Sequence, residues 1–414
     1  VTYAQPQGAV VRVARPQDVD AAGALTAEAY LADRVLADDG YETELRDARR
    51  RAEQAVLLVA VAPAGEREAV VGTVTLAPYG SSYAEIARPG EWELRMLAVA
   101  PEARRQGLAY QLVLTSLREA VAAGARRVVL STLDSMHAAH RLYERLGFVP
   151  ATDRDWSHED VRLAVHTWTP PEPPGALVEA ATWRPVRVVE TDGWQVGLSG
   201  GLTRRANSAL ALVDPVDLDA AVGRVEMIYA GDGLPSTFRV ESGRSRLRAT
   251  LLGRGYQEVS VTDVLVRPVD GPAEAPPPSA TAPAEVVVHD QPSQGWLTAW
   301  CAAKGSDVEQ ARVLLAGSAA QYLTAVRDGR AVGVARVAYA EEWAGLSSLA
   351  VVPDARRGGV ARTLTATAHE LAGRAGARDM FLQVEVPNQV AWQLYAREGF
   401  RPAARYSYLT RTGS

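Results

Sequence analysis

A short turn that occurs twice leaves this chain few folds to choose from. Arg104-Arg105-Gln106-Gly107-Leu108-Ala109 lies between an apolar run ending Met96-Leu97-Ala98-Val99 and an amphipathic stretch, and near-identical chemistry returns at Arg356-Arg357-Gly358-Gly359-Val360-Ala361. A turn of the form Arg-x-x-Gly-x-Ala that opens a helix exposes unpaired backbone N–H groups at the helix's positive end, where a phosphate can sit. Glycine lets the backbone touch such a ligand, alanine lets the helix pack against the preceding strand, and arginine adds charge-assisted contacts. The alternative is an ordinary solvated helix start. Strand, turn and helix in that order, repeated, indicate α/β modules in tandem.

At 414 residues the chain is too long for one typical core and suggests two or three domains. A net charge of −5 with interspersed signs gives no basic face, so nucleic acid is not expected as a partner. The single cysteine, Cys301, excludes an internal disulfide framework and a cysteine-rich metal site, and fits a reducing compartment. It lies outside every motif and reads as a buried structural thiol; covalent catalysis is its other reading. The histidines show no metal-ligand spacing: His137 and His140 are read as surface or acceptor-site residues, and no metal is expected. With no long apolar run and no charged-then-apolar leader, neither membrane span nor secretory signal is expected, and the location expected is cytoplasmic.

Apolar alternation predicts strands at Val10–Ala14, Ala55–Ala62, Val70–Leu76 and Glu91–Val99, with helices from about Asp18 to Arg51. After the first turn come helix Leu108–Ala123, strand Arg127–Thr132 and helix Met136–Leu146. Pro170, Pro171, Pro173 and Pro174 form a stiff linker, and a second Pro/Ala-rich tract, Pro268 to Pro283, precedes the last module. That module repeats the first in shorter form: strands Tyr322–Arg327, Ala331–Tyr339 and Gly345–Val352, the turn, helix Ala361–Ala375 and strand Met380–Val384.

Beyond each turn comes a tyrosine-bearing helix: Ala139-His140-Arg141-Leu142-Tyr143-Glu144-Arg145-Leu146-Gly147-Phe148, and Asn388-Gln389-Val390-Ala391-Trp392-Gln393-Leu394-Tyr395-Ala396-Arg397-Glu398-Gly399-Phe400, at nearly matching distances from the turn. This paired pattern resembles the GNAT superfamily of acyl-CoA-dependent N-acyltransferases over residues 10–168 and 285–411. The resemblance implies a mixed sheet flanked by helices in each module, and acetyl-CoA as co-substrate. It places Arg104, Arg105, Gln106, Gly107, Leu108 and Ala109, and Arg356, Arg357, Gly358, Gly359, Val360 and Ala361, against the CoA pyrophosphate. It also puts backbone donors near Leu97, Val99, Leu349 and Val351 at the thioester carbonyl, and Tyr143 and Tyr395 near the sulfur as general acids; packing of these two rings beneath the turn is the other reading. Asn388 matches the family's asparagine near the pantetheine; Met136 stands there in the first module. The tandem arrangement is similar to that of the mycothiol synthases.

Residues 178–268 follow the element order of the second half of a module, and Leu252-Gly253-Arg254-Gly255-Tyr256 echoes Arg145-Leu146-Gly147-Phe148. The chemistry is missing: Val213-Asp214-Pro215-Val216-Asp217 stands where the glycine turn belongs and Leu251 stands in the tyrosine's place. The expectation is a degenerate half-module packed on the C-terminal one, giving the division 1–170, 178–268, a linker 269–284, and 285–414. The polar run Gly200–Ser208 either lines the last module's acceptor site or forms a self-satisfied hairpin.

Acyl transfer to an amine needs a base. An alkylammonium of pKa about 10.4 is neutral only about once in 10³ at pH 7, a deficit of roughly 4–5 kcal/mol. Glu91 and Glu93 share one face of the central strand as an i, i+2 pair, and Glu93 is favoured, acting directly or through water; a solvated strand face is the alternative. The equivalent strand of the last module has no carboxylate, which leaves Glu341, Glu342 and Glu385 nearby. The expected activity is direct acetyl transfer to an amine of a small molecule or peptide. One module catalysing while the other binds acyl-CoA as a structural or regulatory site is the second reading, and a mycothiol synthase-like activity another. The acceptor's identity and the oligomeric state are not written in these motifs.

Overall fold

The computed structural model describes residues 8–32, 39–65, 67–158, 161–269, 284–305 and 307–411. The chain forms two compact units, Val1–Pro170 and Pro171–Ser414. Most of the Pro/Ala-rich tract lies outside the described residues.

In the first unit, β1 (Val10–Val13) is followed by α1 (Val19–Ala32), α2 (Asp39–Arg46), α3 (Ala48–Gln54), β2 (Val56–Ala64), β3 (Arg67–Pro78) and β4 (Glu91–Val99). After the turn come α4 (Leu108–Ala122), β5 (Arg127–Leu133), α5 (His137–Leu146), β6 (Val149–Pro150), β7 (Trp156–His158) and β8 (Val161–Trp168). The sheet runs β1-β2-β3-β4-β5-β8-β6, with β7 on β8; β4 and β5 are parallel and their other neighbours antiparallel. Alternation along β2 divides the core: Leu57, Val59 and Val61 pack with Val19, Ala22 and Ala48 of the early helices. Gly72 of β3, beside Ala60, faces Leu112 of α4, so helices cover both sheet faces.

The second unit opens with α6 (Ala176–Thr182), β9 (Arg187–Thr191), β10 (Trp194–Leu198), β11 (Ala209–Ala211), α7 (Leu218–Gly231), β12 (Ser236–Glu241), α8 (Ser245–Gly253) and β13 (Gln257–Pro268). It continues with β14 (Glu285–His289), α9 (Gln294–Lys304), α10 (Val308–Leu315), β15 (Ala320–Arg327), β16 (Arg330–Ala340), β17 (Trp343–Val351), α11 (Val360–Arg374), β18 (Asp379–Glu385), α12 (Gln389–Arg397) and β19 (Arg401–Arg411). These strands make one 11-stranded sheet in the order β14-β15-β16-β17-β18-β13-β19-β12-β11-β10-β9.

The two halves of that sheet have exchanged their last strands. In the first unit the last strand, β8, lies beside its own β5. In the second unit β13 pairs with β18 and β19, and β19 pairs in turn with β12. The middle segment therefore does not pack on the last module as a separate body; the two share a continuous hydrogen-bonded ladder. Both terminal strands are long and carry unbroken buried runs, Thr262–Val266 and Tyr406–Leu409, as strands paired on both edges and covered on both faces do. Pro268, assigned to the linker tract by composition, is the last residue of β13, opposite Asp379.

The hairpin β9–β10 and α6 are absent from the sequence expectation. Asp192-Gly193, both at positive φ (49° and 75°), make the tight turn, and the alternating Trp194, Val196 and Leu198 enter a core closed by α7, α8 and Phe238. Asp-Gly between alternating residues is a hairpin signature that was legible.

Candidate active site

The two turns have the same backbone. Arg104 and Arg356 are extended (φ −67°, ψ 162° and φ −66°, ψ 155°), Arg105 and Arg357 are left-handed (φ 62° and 59°), and Gly107 and Gly359 cap their helices in the left-handed region (φ 82° and 80°). Only glycine adopts that cap without strain. No side chain caps α4 or α11. The N–H groups of Leu108 and Ala109, and of Val360 and Ala361, therefore lack intrahelical acceptors and aim out of the helix end. Space is open where a Cβ would project from Gly359. Arg104 and Arg356 each donate Nε–H to the last strand residue, Val99 O and Val351 O, both at 3.2 Å, which locks the strand end to the turn. Arg105 and Arg357 stay exposed. The side chains of Leu108 and Val360 are 2% exposed and belong to the core, so at these positions only backbone faces the cradle. The residues thus fit a pyrophosphate: uncapped donors, an open glycine and flanking guanidinium groups.

Above each cradle the central strands fork. β4 pairs with β5 only from Glu91 to Glu93, and β17 with β18 only from Trp343 to Leu346. A bulge follows in each: Met96 (φ 54°) and Ser348 (φ 59°) are left-handed, at the register shifts against β3 and β16. The extra residue bends the strand away from its parallel neighbour and reverses which side its N–H groups face. Ala100 N–H bonds Val71 O and Val352 N–H bonds Val332 O on the antiparallel side. By alternation, the N–H groups of Val99 and Leu97, and of Val351 and Leu349, face the opened gap. A bound extended chain could complete the ladder there.

Tyr143 and Tyr395 lie in equivalent places. Each helix closes with a bond from the following phenylalanine's N–H to the tyrosine carbonyl, Phe148 to Tyr143 at 2.9 Å and Phe400 to Tyr395 at 3.0 Å, with the rings of each pair in contact. Tyr143 is 6% and Tyr395 8% exposed, and burial holds both phenols above their ordinary pKa, so they stay protonated across the working range. Asn388 caps α12 through the Ala391 N–H at 3.2 Å; Met136 at the same place offers no side-chain cap.

Glu93 and Glu91 are both buried, which removes the solvated-face reading. Glu91 is held by Arg154, Arg127 and the Arg88 N–H; burial pushes its carboxyl up, and these partners together outweigh that and bring it below its ordinary value. Glu93 is fully buried, and its Oε2 accepts the N–H groups of Ile86 and Ala87 at 2.7 and 3.1 Å. Its Oε1 has no hydrogen-bond partner among the described residues, with Arg95 Nε at 3.8 Å. Burial dominates and raises its carboxyl. Glu93 thus keeps one buried oxygen outside any hydrogen bond among the described residues, at the last paired residue before the fork and beside Arg95, which Glu85 holds at 2.7 Å.

The middle segment has the frame without the cradle. Tyr256 N–H bonds Leu251 O at 3.1 Å, the same closure as at the two tyrosines, and β11 runs parallel to β12 as β4 does to β5. At the helix start, however, the Asp217 carboxylate accepts the Ala220 N–H at 3.0 Å and fills the place an anion would take.

In the last module Glu341, Glu342 and Glu385 are all exposed; Glu342 lies by Arg378 and Glu385 is held by Arg204. A carboxylate that sequence reasoning missed, Glu179 on α6, is only 3% exposed and is bonded by Arg239 through both guanidinium nitrogens and by Gln383. Gln383 is the first β18 residue past the fork. No local pattern marks a lone glutamate on a short helix; tertiary packing alone brings it there. The Gly200–Ser208 run is largely a self-satisfied hairpin: Asn207 accepts from Ser199 and Gly201 N–H and donates to Leu202 and Thr203 carbonyls. Cys301 is buried with a raised thiol pKa, caused first by burial, as a structural thiol should be. Among the described residues no group of His, Cys, Asp and Glu could hold a metal ion, and no helix is long and apolar enough to cross a membrane.

Comparison with known proteins agrees with this geometry. Residues 25–148 match the acetyltransferase (GNAT) family, and residues 177–409, more than half of the chain, match a family described as "Probable histone acetyltransferase Rv0428c C-terminal". No curated protein matches the chain. Among solved structures, it is similar to a GCN5-related N-acetyltransferase from Kribbella flavida (19% identity, 56% of this chain and 92% of that one, TM-score 0.44). Another is a GCN5-related N-acetyltransferase from Sphaerobacter thermophilus (15% identity, 98% and 96%, TM-score 0.36). A third is a tandem GNAT protein from the clavulanic acid biosynthesis pathway (14% identity, 98% of each chain, TM-score 0.35). With two uncapped glycine cradles, each below a bulged and forked strand pair, and a family match across most of its second unit, the chain belongs to the Rv0428c C-terminal acetyltransferase family of the GNAT superfamily.

Proposed function

We propose that the protein transfers an acetyl group directly from acetyl-CoA to an amine of a small molecule or peptide, and that both glycine turns bind acetyl-CoA. The observation that carries this reading is the identity of backbone at the two turns, each with an uncapped helix and a forked strand pair. Arg104 to Ala109 and Arg356 to Ala361 hold the pyrophosphate, and the backbone N–H groups of Leu97 and Val99, and of Leu349 and Val351, hold the pantetheine arm and the carbonyl. Acetyl-CoA supplies the activated acetyl group: an amide C–N bond forms and the thioester C–S bond breaks, the amine losing one proton and the sulfur gaining one. Tyr143 and Tyr395, kept protonated by burial, give the sulfur its proton. Glu93 Oε1, unengaged and raised in pKa, is suited to take the amine's proton, directly or through one water. Calorimetric titration with acetyl-CoA tests the reading: two sites per chain are expected, and no binding would overturn it.

One observation favours a second reading. The strand of the last module carries no carboxylate where the first carries Glu93, which supports a catalytic first module and an acyl-CoA-binding last one. Tyr143→Phe and Tyr395→Phe, assayed separately, distinguish them: under this second reading only the former lowers turnover.

A further inference from the structure

We propose that Asp263, on the strand that the middle segment lends to the last module, is a positioning residue for acetyl transfer there: through Trp392 and Arg405 it fixes where the Tyr395 hydroxyl stands at the sulfur of acetyl-CoA. The proposal rests on the acetyltransferase reading of that module, with Tyr395 as its general acid.

The strand exchange sets the geometry. Asp263 lies in β13, in register with Val384 of β18 on one side and Arg405 of β19 on the other. Its neighbours Val264 and Val266 pack with Val178 of α6. Asp263 reaches Trp392 of α12: its Oδ2 accepts the Trp392 Nε1–H at 2.9 Å, and its Oδ1 accepts the Arg405 Nε–H at 2.6 Å. Asp263 is 2% and Trp392 1% exposed, so the contact is made away from water. Trp392 precedes Tyr395 by three residues, which puts both on one face of α12, and Arg405 lies in the strand that follows the helix. One buried carboxylate therefore grips the chain before Tyr395 and after it.

Such a grip matters because α12 is only nine residues long, too short to be stable without tertiary contacts. Its far end is tied to the cradle helix, where Arg362 of α11 pairs with Glu398 at 3.0 Å. Asp263 supplies the opposing tie, from a strand that does not belong to the cradle. A proton donor must stand within hydrogen-bond reach of its acceptor, and a displacement of about 1 Å can cost on the order of 10²-fold in rate. In the first module a different pair fills this place. His140 stands three residues before Tyr143; its Nε2 lies 3.1 Å from Leu133 O, and its ring centroid lies 5.3 Å from that of His166, on the module's own β8. The middle segment has no cradle, yet it seats the tyrosine helix of the module that has one.

The test uses the full chain with Gly107→Val to silence the first cradle, acetyl-CoA, and two amines, a lysine-bearing peptide and phenethylamine. Thiol release gives kcat and KM, calorimetry gives acetyl-CoA affinity, and thermal melts report the fold. Trp392→Phe removes the indole donor and leaves the Asp263–Arg405 pair in place. Its kcat is expected to fall about tenfold, with KM and acetyl-CoA affinity within about twofold of the parent. Asp263→Asn keeps an oxygen for the indole N–H and should lose less of the rate than Asp263→Ala. The deciding readout is the double variant: added to Tyr395→Phe, Trp392→Phe should lower kcat by less than about twofold, because misplacing an acid that is already gone costs nothing. The proposal is overturned, with the acetyltransferase reading intact, by an unchanged kcat in a folded Trp392→Phe or by a fall that persists at full size in the Tyr395→Phe background. Weakened acetyl-CoA binding in place of slower turnover, or a Tyr395→Phe change without effect, overturns it too. Acetyl-CoA bound by the parent chain without transfer to either amine overturns the proposal together with a catalytic last module, and acetyl-CoA that does not bind overturns the acetyltransferase reading as well.

Discussion

At the scale of single residues, the chemistry turns on which groups burial leaves neutral and which oxygen it leaves free. Tyr143→Phe and Tyr395→Phe each remove one hydroxyl without a change of shape, so turnover by the module concerned is expected to fall by about 10²-fold with acetyl-CoA affinity preserved. Single-turnover assays on variants with the other cradle silenced check this. For Glu93 the sign is set by burial, which raises its folded-state carboxyl above the ordinary value. The folded state therefore binds this proton more tightly than the unfolded chain, and the carboxyl costs stability as pH rises from the ordinary range through the raised value. A base must be ionised, so first-module turnover should fall as pH drops through that raised value. Glu93→Gln should abolish this limb and lower the rate about 10²-fold, read from a pH–rate profile. Glu93 was legible as a candidate because i, i+2 alternation placed it with Glu91. That Arg154 and Arg127 take Glu91 and leave Glu93 Oε1 free depends on residues far off in sequence.

Among the elements, the turn is the unit that repeats and the bulge is what gives it use. Gly107 and Gly359 hold left-handed caps, and a β-branched residue there is strained by about 1–3 kcal/mol whatever space surrounds it. Gly107→Val and Gly359→Val should each reduce acetyl-CoA stoichiometry from two to one in calorimetry, while the tyrosine helix of the same module remains folded by circular dichroism. The middle segment shows the converse: Asp217 occupies its own helix start with a carboxylate, so no third site is expected. The turns could be read because glycine and arginine at fixed spacing have few other uses at a helix start. The bulges could not be: Met96 and Ser348 are not residues that favour positive φ, and the sheet on either side imposes it.

For the whole molecule, the exchange of β13 and β19 decides what can fold alone. A fragment of residues 285–414 lacks β13, leaving the β18 and β19 edges unpaired and the Asp263 contacts to Trp392 and Arg405 absent. It is expected to be aggregated or unfolded, whereas residues 171–414 should melt in a single cooperative transition; calorimetric scans of both fragments check this. Residues 1–170 carry a closed strand order of their own and should fold independently.

The sequence by itself determined the modules, the cradles and the paired tyrosines. Each is a local pattern: helix starts, alternation and glycine positions act within a few residues of themselves. Only the tertiary structure decided that β13 and β19 change places and that Glu179 comes to Gln383. Strand pairing at long range and the burial of a charge are set by what the rest of the chain brings alongside, and no neighbour in sequence carries that information.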